Sequence, residues 1–139
     1  MRASLAAAAA LLLLGGCHTA FVGRAPSGRF QLVEVNGRAL PFAVDPGSRC
    51  PVRIEGGHFD LDSIARRFEM VLDRSGPCLG ISGDTVERGS YLRRGGRLEL
   101  EAAQPGGSAR ALVASESGGS ISLVYDRLRL RFRQAARPR

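Results

Sequence analysis

From Arg29 onward the apolar positions recur with a period of two, the spacing of strands that turn one face to a core. F-Q-L-V-E-V at 30–35 runs into Asn36-Gly37, and R-A-L-P-F follows. Asn-Gly between apolar runs is a strong hairpin signal, because both central residues of a type I′ turn need positive φ. Further alternating runs are V-R-I at 52–54, H-F-D-L-D at 58–62, R-F-E-M-V-L at 67–72, R-L-E-L-E at 97–101 and R-A-L-V-A at 110–114. Gly56-Gly57, Ser75-Gly76-Pro77, Gly95-Gly96, Gly106-Gly107 and Gly118-Gly119 separate them as turn signals. Short strands at this spacing predict an all-β chain, an antiparallel meander that forms a sandwich or a barrel.

The C-terminal pattern is the sharpest. Ile121, Leu123 and Tyr125 share one parity and Leu128, Leu130 and Phe132 the other, so a turn or bulge at Asp126-Arg127 must join two strands. Residues 62–69 (DSIARRFE) allow at most one helical turn, with Ser63 as its cap. The expected inner face comprises Phe30, Leu32, Ile54, Phe59, Leu61, Phe68, Met70, Leu72, Leu98, Leu100, Leu123, Leu128, Leu130 and Phe132.

The pattern before residue 29 differs. Arg2 precedes an unbroken apolar stretch at 3–14, which as a helix falls well short of a ~30 Å hydrocarbon core, so it reads as a signal peptide and not a span. Its end, Leu14-Gly15-Gly16-Cys17, resembles the bacterial lipobox. That resemblance implies cleavage before Cys17, a diacylglycerol on its sulfur and acylation, commonly palmitate, of its new amino group. His18 in place of the Asp that retains such lipoproteins at the inner membrane implies the outer membrane, facing the periplasm. H-T-A-F-V-G-R-A-P-S-G at 18–28 is small, polar and broken by Pro26, as a tether would be. The chain thus divides into a signal peptide at 1–16, a lipidated tether at 17–28, a β-barrel domain at 29–134 and a basic tail at 135–139.

Cysteine usage fits an oxidising compartment. Once Cys17 carries lipid, Cys50 and Cys78 remain, too far apart for a redox CxxC and with no histidine at ligand spacing, so they are expected to form a structural disulfide.

G-R-F-Q-L-V-E-V-N-G-R-A-L-P at 28–41, the glycine-separated strands and the closing L-R-L-R-F-R together resemble the small lipocalin-like and META-type domains of bacterial lipoproteins. Those families open with Gly-x-Trp-x-Leu; here Gly28 and Leu32 match and Phe30 stands at the tryptophan position. The resemblance implies a barrel, with Arg131 or Arg133 lying over the Phe30 ring. It transfers no ligand-binding residue.

Catalytic patterns of the G-x-S-x-G, H-E-x-x-H, P-loop and dinucleotide kinds are missing from the chain, so no catalytic residue, cofactor or metal is assigned and the protein is expected not to be an enzyme. His58, Asp60 and Asp62 form H-x-D-x-D on one strand face, where a weak metal site is geometrically allowed but solvated polar residues are the ordinary expectation. Net charge is +7, and every basic side chain is arginine. Arg127, Arg129, Arg131 and Arg133 alternate with Leu128, Leu130 and Phe132, placing four guanidinium groups on one side of one strand, extended by Arg137 and Arg139 and partly neutralised by neighbours such as Glu99 and Glu101; a solvated outer face is the ordinary expectation and weak binding of an anionic surface the functional one. The envelope compartment leaves nucleic acid out as a partner.

Two expectations follow. In the first, a membrane-anchored, non-catalytic module binds a small apolar or amphipathic ligand in a cavity left between Ala111, Val113 and Ala65. In the second, a filled barrel of META type associates with an anionic envelope component or another protein through its basic outer face. Both depend on the anchor. Cys17→Ser is expected to abolish palmitate labelling and to shift the protein from membrane to soluble fractions; unchanged fractionation would contradict the anchor.

Overall fold

The computed structural model describes residues 27–79 and 83–136. The signal peptide, Cys17 and the tether up to residue 26 lie outside the described residues, as do Arg137 and Arg139. Ten strands form one sheet: β1 (Gly28–Val35), β2 (Arg38–Ala39), β3 (Phe42–Val44), β4 (Val52–Asp62), β5 (Arg67–Ser75), β6 (Thr85–Arg94), β7 (Arg97–Ala103), β8 (Ala109–Ser117), β9 (Ser120–Tyr125) and β10 (Leu128–Gln134). Strands β4 to β10 follow one another as an antiparallel meander. β1 pairs with β10 on one side and β4 on the other, which closes an eight-stranded barrel, while β2 and β3 are short additions at its rim. The all-β expectation holds throughout: the described residues contain no helix.

Turn chemistry matches the sequence at the hairpins. Asn36 and Gly37 have φ of 52° and 75°, and Asp126 and Arg127 have 45° and 67°, so both connections use two positive-φ residues. Two details differ from expectation. Gly56-Gly57 is no turn but lies inside one continuous strand β4, directly after a β-bulge at Glu55, where the register shifts between Ile54 and Gly56. A Cβ on Gly57 would stand 2.4 Å from the Val71 carbonyl oxygen, so the glycine permits the bulged strand to pass close to β5. Residues 63–66 form a plain turn, and Asp62 rather than Ser63 caps it, accepting hydrogen bonds from the Ile64 and Ala65 amides at 2.9 and 3.0 Å.

The barrel interior is packed with apolar side chains. Phe30, Phe59, Phe132, Ile54, Met70, Leu72, Leu98, Ile121, Leu130 and Val35 are its largest fully buried side chains. Phe59 stacks on Phe68 at 5.7 Å and meets Phe132 at 5.6 Å, edge tilted to face. Of the expected inner face only Leu128 is not fully buried; it packs against the core from the rim. β6 has no counterpart among the sequence runs, because its inward positions are Glu87, Gly89, Tyr91 and Arg93, and its apolar Val86 and Leu92 face solvent.

Cys50 and Cys78 are bonded, with Cα atoms 5.6 Å apart, and tie the loop before β4 to the connection after β5. The bridge spans 28 residues of chain. On the chain-entropy model its removal in Cys50→Ala/Cys78→Ala is expected to cost about 3–4 kcal/mol, a lower thermal midpoint with unchanged circular dichroism of the folded state. Free thiols on peptide mapping of protein from its own compartment would contradict the bond.

Candidate functional site

β10 presents Arg129, Arg131 and Arg133 outward while Leu130 and Phe132 are buried, as the alternation required. Arg127 does not belong to this row. It occupies the β9–β10 turn with φ of 67°, so its side chain leaves the strand's alternation. Glu99 and Glu101 are not neighbours of the stripe either: they lie on β7, which pairs with β6 and β8, and Glu99 faces Arg94 and Arg97 at 3.4 and 3.7 Å. The carboxylate beside the stripe is Glu34 of β1, which accepts from Arg131 at 3.3 Å. Arg129 and Arg133 have no carboxylate within 4 Å among the described residues. Val124, 61% exposed, stands across from Arg129 on β9 and adds an apolar spot to the basic row.

Phe30 is buried inside the barrel, on the opposite side of the sheet from Arg131 and Arg133, so neither guanidinium covers it. A guanidinium over a ring occurs instead at Arg110, 4.5 Å from the Tyr125 centroid.

On the other side of β1, Arg29 grips Asp60 through two hydrogen bonds of 2.9 and 2.7 Å. This guanidinium holds the Asp60 carboxyl below the usual carboxylate range, against the opposing effect of burial. His58 lies 3.8 Å from both Asp60 and Glu69, and Glu69 is held in turn by Arg88 of β6. Asp62, grouped with His58 in the sequence pattern, is engaged in its turn instead. Glu69 takes its place, because the β4–β5 register sets Asp60 opposite Glu69.

Charged groups also enter the barrel, one pair at each end. Arg93 and Glu116 meet at 2.9 Å near the end that holds the β6–β7 and β8–β9 turns. At the opposite end Glu87, 6% exposed, accepts from Tyr125 at 2.6 Å, from Gln104 at 3.1 Å and from Arg110 at 3.5 Å. Arg110 also reaches Asp126 at 2.6 Å. Glu87 is therefore a paired interior carboxylate, satisfied by three donors, from β8, β9 and the β7–β8 loop. Sequence reading missed it because V-E-R-G-S-Y shows no apolar alternation; the aromatic at 91 was the one available signal.

No cavity forms between Ala111, Val113 and Ala65. Ala111 and Val113 point outward from β8, whose inward residues are Leu112 and Ala114, and Ala65 sits in the exposed β4–β5 turn. Two open clefts, of about 670 and 300 Å³, lie on the barrel's outer surface. The larger runs over β4 to β8 and is walled by Asp60, Glu69, Arg67, Arg88 and Glu101. Its floor dips at Gly89, where a Cβ would stand 1.8 Å from the Glu101 carbonyl oxygen.

Burial, together with the bond to Glu87, pushes the Tyr125 hydroxyl up to about 12, and burial also raises Tyr91. A tyrosine whose folded value exceeds its unfolded value stabilises fully below the unfolded value near 10 and loses that contribution as pH rises through the folded one. Stability to urea is therefore expected to fall between about pH 10 and 12, with tyrosinate absorbance rising late. In Tyr125→Phe the fall should shrink; an unchanged pH profile in that variant would contradict the Tyr125–Glu87 coupling. Comparison of the chain with family models, with curated proteins and with solved structures finds no match.

Proposed function

We propose that this chain is a lipid-anchored protein of the bacterial cell envelope, facing the periplasm, and a non-catalytic module that works through its outer face. The observation that carries this reading is the filled barrel. With Phe30, Phe59, Phe132 and Met70 packed inside and an ion pair linking β6 to β8 toward each end, the recognition surfaces that the described residues offer are external. Among them the β10 face has the simplest electrostatics. Alternate residues repeat every ~6.8 Å, so its three strand arginines present positive charge over roughly 14 Å, offset among the described residues by Glu34 alone. Such a row suits phosphate or carboxylate groups arrayed on a surface, and guanidinium binds them bidentately.

The Cys17 lipobox supports the same geometry. From Cys17 to Gly28 the chain reaches at most about 36 Å when extended, enough for the barrel to lie against the surface in which its lipid would be seated. Anionic headgroups are then at hand, at up to about 1 kcal/mol per arginine near the surface. The exposed Val124 beside Arg129 contributes a small apolar contact.

Replacement of Arg129, Arg131 and Arg133 by Gln removes the charge and leaves Leu130 and Phe132 in the core, so folding is expected to survive. Binding of the Cys17→Ser chain to phosphatidylglycerol-containing vesicles should weaken by about 1–3 kcal/mol in the triple variant. Binding of the unsubstituted stripe should also fall steeply between low and physiological salt. Equal, salt-insensitive binding by both forms, or none by either, overturns this reading.

A further inference from the structure

We propose that His58, Asp60 and Glu69 form a binding site for a divalent transition-metal ion on the outer face of β4 and β5. This does not rest on the reading of the β10 face. His58 and Asp60 alternate on β4 and so share a face, and the register puts Glu69 opposite Asp60 on the next strand. One donor atom from each of the three lies within 4.8 Å of the others, with the His58 Nε2 3.8 Å from each carboxylate. A tetrahedral ion with bonds of about 2.0–2.1 Å needs donors about 3.3 Å apart. Metal binding would therefore draw the three side chains closer together.

The carboxylates are already oriented. Arg29 holds both oxygens of Asp60 from β1, and Arg88 holds Glu69 Oε2 from β6, which leaves Glu69 Oε1 turned toward His58. Hydrogen-bonded partners of this kind fix ligating carboxylates and lower the cost of ordering them. The two guanidinium charges also balance the two carboxylates, so the site does not concentrate cations by charge alone. The imidazole therefore decides which ion binds. Zinc, copper and nickel, which accept imidazole, fit this donor set, and magnesium and calcium, which want oxygen only, do not. Asp60, Glu69 and Arg88 also wall the 670 Å³ cleft, which places a space large enough for water or for a donor group of a bound molecule beside two of the three ligands.

The test is titration of Zn²⁺, with Mg²⁺ in parallel, into the full chain carrying Cys17→Ser, so that no free thiol competes. Calorimetry should show one Zn²⁺ site with micromolar affinity and no Mg²⁺ site, and substoichiometric Ni²⁺ should broaden the His58 ring resonances. His58→Ala and, separately, Glu69→Gln should each weaken Zn²⁺ binding about tenfold or more, with circular dichroism unchanged. His18→Ala should leave it intact. The proposal is overturned by absence of Zn²⁺ binding, by binding that persists in His58→Ala, or by binding that disappears in His18→Ala.

Discussion

Closure of the sheet through β1 is the constraint on which the rest depends. β1 is the first described strand, yet it pairs with the last, β10, and with β4, so the meander has no free edge along its main strands. The interior at this seam is aromatic: Phe30 lies opposite Phe59, and Phe59 contacts both Phe68 and Phe132. An open sheet would expose those rings and two rows of unpaired amides. Bulges on both seam strands, between Leu32 and Glu34 in β1 and between Ile54 and Gly56 in β4, shift the alternation so that Val35 and Ile54 also turn inward.

The same closure arranges the outer surface. Because β10, β1 and β4 are neighbours, Arg133 stands beside Gln31, and Gln31 beside His58. The arginine row and the His58 cluster thus lie on either side of β1 on one face, although about seventy residues separate them in the chain. Their electrostatics differ: the β10 row carries excess positive charge, and in the His58 cluster Asp60 and Glu69 are each matched by an arginine from the next strand.

Interior charges explain why the wall from β6 to β8 looks unlike the rest. Glu87 and Arg93 on β6 face Arg110 and Glu116 on β8, one ion pair toward each barrel end, with Leu98, Leu100, Leu112 and Ala102 between them. Pairs at the ends keep contact with solvent on one side, which lowers their desolvation cost relative to the barrel centre. They also penalise register slips along β6 to β8, since a shift of one residue would bury a charge without its partner.

Much of this was determined by local chemistry in the sequence. Period-two alternation named thirteen of the fully buried residues, Asn36-Gly37 and the parity change at Asp126-Arg127 located two hairpins, and Cys50 and Cys78 were the pair left to bond. These depend on single strands or single turns, where side-chain period and φ requirements act without help from distant residues. Only the tertiary structure decided the rest. β6 is a strand because its neighbours supply partners for Glu87, Gly89 packs against the Glu101 carbonyl, and neither fact leaves an apolar trace in the chain. Glu34 rather than Glu99 neutralises Arg131, and Glu69 rather than Asp62 joins His58, because cross-strand register, set by closure of the barrel, determines which charges meet.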